Sequence, residues 1–151
     1  MKMVTGIYNL AIDEKGRIML PSRMRQALQT DELVLLPGLD SECMMLMTPD
    51  FFENHFASTI LANDKAIFSK AKRELIRAII SPAVYINADA NGRIGIPMNL
   101  RSDYSLVGKN NVTLIGSGFH VEIWNTEVYE KHMSENRESI SDLCDSLFSE
   151  E

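Results

Sequence analysis

Hydrophobic positions along this chain come in short runs separated by charged or glycine-containing turns, and the runs form two similar series. Ile7-Tyr-Asn-Leu-Ala-Ile12 and Ala83-Val-Tyr-Ile-Asn-Ala88 mix β-branched, aromatic and aliphatic residues, the composition of half-buried strands. Each is followed by a polar turn and a second short apolar run, Ile18-Met-Leu20 or Ile94-Gly-Ile96. Proline closes that run at Pro21 and at Pro97, where a missing N–H and a preset φ suit a first helical turn. The helices expected next carry Met24 and Leu28, or Leu100 and Tyr104, at i, i+4 spacing. Two further strands follow in each series. They are Leu33–Leu36 and Cys43–Met47 in the first, and Val112–Ile115 and Val121–Trp124 in the second.

The two series superimpose most closely at their turns. Asp13-Glu-Lys-Gly-Arg17-Ile-Met-Leu-Pro21 and Asp89-Ala-Asn-Gly-Arg93-Ile-Gly-Ile-Pro97 share Asp, Gly, Arg, Ile and Pro at an offset of 76 residues, and Arg25 recurs as Arg101. A three-residue loop ending in glycine, Glu14–Gly16 or Ala90–Gly92, suits a type I turn followed by a left-handed residue. That register sets Asp13 opposite Arg17 and Asp89 opposite Arg93. Each unit is therefore expected to run strand, tight charged hairpin, strand, short helix. Strands left unpaired in one unit would take partners from the other.

The remaining helices are also legible. Thr48-Pro49-Asp50 offers a capping hydroxyl, proline at the first position and an acid in the first turn, ahead of an apolar stripe at Phe52, Phe56 and Ile60. Residues 63–80 are expected to form a connecting helix with Ile67, Ala71, Leu75, Ala78 and Ile79 inward and Lys70, Lys72, Arg73 and Arg77 outward. From Thr126 to Phe148 the pattern predicts one acidic helix with sparse apolar positions. The expected layout is a first repeat at 1–62, the connecting helix at 63–81, a second repeat at 82–130 and an acidic helical tail at 131–151.

Charge sharpens this picture. The net charge of −6 lies wholly in residues 127–151, which hold eight acids and two bases, so residues 1–126 are neutral. A neutral body can bind phosphate only if its bases gather on one face. Cys43 and Cys144 have dissimilar neighbours and are expected to be reduced thiols in a cytosolic protein. No run approaches a membrane span, and the first residues lack the apolar core of a signal peptide. His55, His120 and His132 are scattered, and no P-loop, dinucleotide or Gly-x-Ser-x-Gly fingerprint occurs. Neither catalysis, a metal, a cofactor nor a small-molecule substrate is expected. The residues alone leave two readings of Asp13/Arg17 and Asp89/Arg93: ion pairs that steady the turns, or a binding device that aims arginines outward.

The repeated Asp-x-x-Gly-Arg-Ile-x-Ile/Leu-Pro motif, Gly6-Ile-Tyr-Asn-Leu-Ala-Ile-Asp13 and the late Glu122-Ile-Trp124 together resemble the MraZ family of bacterial transcriptional regulators, over essentially the whole chain. The resemblance implies an α+β fold: two tandem β-hairpin/α repeats in a pseudo-symmetric, AbrB-like swapped-hairpin β-barrel with helices outside. It also implies sequence-specific binding to double-stranded DNA at the promoter of the chain's own division and cell-wall gene cluster. Binding would be by a ring-shaped homo-oligomer in the cytoplasm, associated with the nucleoid. The residues it assigns to DNA are Asp13, Lys15, Arg17, Asp89 and Arg93. Arg23, Arg25 and Arg101 stand as auxiliary contacts or structural groups. Lys15 answers to Asn91 and Glu14 to Ala90, so the two turns should not bind alike. An AbrB- or antitoxin-like interaction module, gripping a protein through the acidic C-terminal helix, is the alternative.

Overall fold

The computed structural model describes residues 2–40, 42–62, 65–107 and 111–149. It is a mixed α+β structure in which every ladder is antiparallel. The first series gives β1 (Ile7–Ala11), β2 (Arg17–Met19), α1 (Ser22–Leu28), β3 (Glu32–Pro37) and β4 (Met44–Met47). The second gives β5 (Val84–Asn87), β6 (Arg93–Gly95), α5 (Met98–Asp103), β7 (Asn111–Gly116) and β8 (Val121–Asn125). Between them lie α2 (Pro49–Phe51), a π-helical turn (Phe52–Phe56), α3 (Ala57–Leu61), a 3-10 turn (Ala66–Phe68), α4 (Lys70–Leu75) and a second π-helical turn (Ile76–Ile80). After β8 come α6 (Thr126–Glu135) and α7 (Ile140–Ser149).

Strand pairing departs from a simple hairpin. Asp13 N–H donates to the Arg17 carbonyl at 3.0 Å, but β1 and β2 then diverge. β1 ladders with β7 and β5 with β3, so each series lends its first strand to the other. β2 pairs with β6, with Ile18 directly opposite its own counterpart Ile94. β4 pairs with β8, with Met45 opposite Glu122, its counterpart at the offset of 77 that holds in this part of the two series. A pseudo-twofold axis therefore passes through both pairs. The result is a six-stranded sheet, β1-β7-β8-β4-β3-β5, and a separate ribbon, β2-β6.

Alternation along the strands builds two cores. Leu33, Leu35, Met44, Leu46, Val112, Leu114, Val121 and Ile123 face the ribbon and pack with Ile18, Ile94, Met24 and Leu100. Val34, Leu36, Met45 and Met47 face the opposite way, beneath Phe52, Ala57 and Ile79. Because both faces are covered, β3 and β4 read as continuous apolar runs. Trp124 is buried as well, in edge contact with Tyr129 of α6.

The helix start at Thr48 follows the predicted chemistry, and α6 is capped in a similar way. Phe51 N–H donates to Thr48 Oγ1 at 3.1 Å, and Val128 N–H to Asn125 Oδ1 at 3.1 Å. Two expectations are corrected. The connecting segment is not one amphipathic helix: Ile67 lies in the 3-10 turn and is exposed, Leu75 is exposed, and of the predicted inward face only Ile79 is buried. Ser69 starts a new helix by accepting from Lys72 N–H, which breaks the helical register before α4. The acidic tail is likewise two helices, parted at Asn136–Ser139. No helix among the described residues is long and apolar enough to cross a membrane.

Candidate nucleic-acid interface

The ribbon β2-β6 is three residues long on each side and alternates strictly. Ile18 and Ile94 point into the core, which turns Arg17, Met19, Arg93 and Gly95 to the outer face. Arg17 lies opposite Gly95, and Arg93 opposite Met19. The two arginines are therefore diagonal neighbours on one exposed surface, about 7–8 Å apart by the usual geometry of such pairs. Residues 76 positions apart in the chain meet here because the pseudo-twofold axis runs through the Ile18/Ile94 pair.

Each arginine is held by the aspartate at the other end of its turn. Asp13 Oδ2 accepts from Arg17 Nε at 2.8 Å, while Oδ1 accepts from the backbone N–H of Lys15 at 2.9 Å and of Arg17 at 2.8 Å. Asp89 repeats the set on Arg93 Nε, Asn91 N–H and Arg93 N–H, all at 2.9 Å. One carboxylate thus closes the turn and orients the guanidinium. It occupies only Nε; the terminal Nη1 and Nη2 of Arg17 and Arg93 donate to no described residue. Side chains of both arginines are about a third exposed, at 31% and 30%. A fork with its inner nitrogen anchored and its outer donors free suits a guanine edge or a phosphate.

The Arg17 backbone N–H first, and then its guanidinium, hold the Asp13 carboxyl below the ordinary value of 3.8, and Arg93 does the same to Asp89. A carboxylate lowered on folding lends its support above the unfolded value and loses it as pH falls through the folded one. The turns should therefore be unchanged from neutral pH down to the ordinary carboxylate range. Carboxyl carbon NMR is expected to give midpoints below 3.8 for both residues. A midpoint at or above that value for either would contradict the bonding described.

Arg25 and Arg101 sit elsewhere. Gly16 and Gly92 end their loops at φ +76° and +83°, and a side chain there would run into Arg101 and Arg25 respectively. Each helix arginine thus covers the turn of the opposite repeat. The turns are also clamped across the axis: Leu20 N–H donates to the Gly92 carbonyl at 3.0 Å and Ile96 N–H to the Gly16 carbonyl at 2.9 Å. Arg25 adds an ion pair to Asp31 at 3.6 Å. The Nε of Arg25 and of Arg101 is buried without a hydrogen-bond partner, so packing holds these side chains more than bonding does. Arg23 is exposed on α1, and Lys15 is exposed at the tip of the first turn.

Met19 and Gly95 on the outer face went unmarked in the sequence reading. The alternation around Ile18 and Ile94 was the signal that could have found them. A third group was equally unanticipated. Asp40, Cys43 and Glu122 bring their donor atoms within 4.8 Å of one another. Burial first, then the charges of Glu122, Asp40 and Glu42, push the Cys43 thiol up to about 12, so it stays protonated. Glu122 already accepts from Trp124 Nε1 at 3.0 Å. Cys43 N–H donates to the Asp40 carbonyl and the Gly38 N–H to the Cys43 carbonyl, closing the β3–β4 turn.

Comparison with known proteins matches a family model described as "MraZ protein, putative antitoxin-like" over residues 3–75 and 79–149. The chain belongs to the MraZ family. It is 33% identical over 144 residues to a transcriptional regulator MraZ of Treponema denticola, covering 95% of this chain and 96% of that one. A transcriptional regulator MraZ of Bifidobacterium longum is 35% identical over 148 residues, covering 98% and 94%. One from Mycoplasmoides gallisepticum is 32% identical over 145 residues, covering 96% and 97%. The two matched segments of the MraZ model correspond to the two series, each with one Asp/Arg turn. The MraZ relatives bear the name of a regulator, and no catalytic name appears among them.

Proposed function

We propose that this chain is a DNA-binding transcriptional regulator. In this reading it recognises short repeated elements at the promoter of its own division and cell-wall gene cluster. It does so as a ring-shaped homo-oligomer, cytoplasmic and nucleoid-associated, whose interlocked repeats act as a swapped-hairpin barrel. The observation that carries the reading is the outer face of the ribbon, where two arginines project together with their terminal nitrogens unoccupied among the described residues. A two-stranded ribbon fits the major groove, about 12 Å wide, and a forked guanidinium there can take guanine O6 and N7. Asp13 and Asp89 keep each fork in one orientation. They also offset its charge, so a lone phosphate is held weakly.

Roles follow from position. Arg17 and Arg93 read base edges or the phosphates beside them. Lys15 makes a phosphate contact that Asn91 cannot match, so the first turn binds more tightly than the second. Arg25 and Arg101 brace the turns, and Arg23 adds charge at the margin. A neutral body makes any single site weak, and a fixed array of sites gains affinity on elements repeated at matching spacing. Moving two promoter elements apart by half a helical turn, about 5 base pairs, should therefore reduce affinity at least tenfold. Fluorescence anisotropy on the two DNAs measures this, and equal affinity would sink the array reading.

A further inference from the structure

The outer face of the ribbon is symmetric in charge and asymmetric in bulk. The pseudo-twofold axis exchanges Arg17 with Arg93, and it also exchanges Met19 with Gly95. Arg17 therefore stands beside a residue with no side chain, and Arg93 beside a methionine that is 47% exposed.

Nothing in the chain's own packing calls for a glycine at position 95. A Cβ built there would meet no atom within 4 Å beyond its two chain neighbours, and its φ lies outside the left-handed region. The register of the ribbon runs through it without a bulge. Every other described glycine either has a positive φ or would drive a Cβ to within 3 Å of a neighbour. Glycine inside a strand weakens it, through backbone entropy and a lost packing surface. A strand glycine with no internal reason, on an exposed face, marks a place where another molecule comes close to the main chain.

A second difference breaks the symmetry in the same sense. Ile96 N–H donates to the Gly16 carbonyl, which brings the first turn alongside Gly95, and Leu20 N–H donates to the Gly92 carbonyl, which brings the second turn alongside Met19. One end of the ribbon thus carries Lys15, Arg17 and Gly95, an extra cation beside bare backbone. The other carries Asn91, Arg93 and Met19, with no extra charge and an exposed apolar side chain.

We propose that Gly95 is where DNA comes closest to this ribbon, and that Met19 rests on the C5-methyl of a thymine beside the base that Arg93 reads. The inference rests on the proposed binding of DNA by this face. In the major groove a thymine methyl takes apolar contacts, and methionine, unbranched and polarisable, adapts to them. At Gly95 no side chain holds the duplex off, so a base edge can reach both Arg17 and the main chain. The ribbon then reads a non-palindromic element in one orientation, although its arginines are related by a pseudo-twofold.

Fluorescence anisotropy on promoter and scrambled duplexes, paired with urea unfolding, tests this on the full chain. Gly95→Ala fills open space and removes a strand glycine, so its urea midpoint should rise. Its promoter affinity should nevertheless fall at least about fivefold, because the added methyl overpacks the contact with DNA. Gly95→Met, which makes the two ends alike, should fall further. A lower midpoint in Gly95→Ala assigns the glycine to folding and overturns the close approach, as does wild-type affinity in Gly95→Met. Promoter duplexes with one thymine at a time replaced by deoxyuridine, which lacks only the methyl, read the other end. Wild type should lose about fourfold at one thymine, the worth of one buried methyl, and Met19→Ala should not distinguish that duplex from its parent. A wild type indifferent to every thymine methyl overturns the contact by Met19. Equal affinity of wild type for promoter and scrambled DNA overturns the reading of the face on which both depend.

Discussion

Replacing Arg17 and Arg93 by alanine together is expected to abolish specific promoter binding while the protein remains folded and assembled. Among the described residues each guanidinium bonds its own chain through Nε alone, and both lie on the outer face of the ribbon, away from Ile18 and Ile94. Truncation therefore opens no core cavity. A good bidentate contact to a base is worth about 1–3 kcal/mol, roughly fivefold to 150-fold in affinity. On the proposed reading, two such contacts in every copy, multiplied along an array, place the loss well beyond about a hundredfold. The two are diagonal neighbours and should couple, so the single variants need not sum to the double. Arg17→Lys with Arg93→Lys separates the two kinds of contact. If the forks read base edges, lysine restores charge without specificity; if they hold phosphate, lysine restores most of the binding. For phosphate, the slope of log affinity against log salt should also become shallower by about 0.9 for each contact removed. Anisotropy over a salt series on promoter and scrambled DNA reports both effects. Wild-type affinity in the alanine double variant would show that the turns serve structure alone.

Ile18→Ala and Ile94→Ala are each expected to destabilise the protein strongly. Both side chains are fully buried, and they face each other where the pseudo-twofold axis crosses the ribbon. Removing a buried isoleucine to alanine costs about 2–5 kcal/mol from lost transfer energy and the cavity left behind. The ribbon is short and has few other anchors: three residue pairs and the two cross-clamps from Leu20 and Ile96. Nearby groups cannot collapse into the hole without undoing that pairing, which favours the upper part of the range. Total stability is typically about 5–15 kcal/mol, so each single variant should unfold at clearly lower urea. Because the two residues share one cavity, the double variant should lose less than the sum of the singles. Met19→Ala, on the outer face of the same strand, should change stability by less than about 0.5 kcal/mol. A loss below about 1 kcal/mol in Ile18→Ala would mean that the ribbon is not packed as described.

Much of the candidate site is legible in the sequence. The Asp-x-x-Gly-Arg turn with its paired charges is local chemistry: five residues, one carboxylate and one glycine at positive φ specify it. The cap at Thr48 and the proline starts of α1 and α5 are legible for the same reason. Alternation was readable only where one face of a strand meets solvent, as along β2 and β6. In β3 and β4 both faces are buried, so the pattern showed burial without direction. The connecting segment misled because its apolar residues fit a helical period, and a cap at Ser69 overrode that period.

By itself, then, the sequence determined the two repeats, their turns, the aspartate–arginine pairs and the family to which they belong. These depend on contacts within a few residues. Only the tertiary structure decided that β1 pairs with β7 and β2 with β6, that Arg17 and Arg93 share a face, that Arg25 and Arg101 cover the opposite turns, and that α7 stands uncovered. Those facts depend on which strand edge meets which. Periodicity records the face a residue takes, and many pairings bury the same faces; the partner is chosen by the packing of the whole chain.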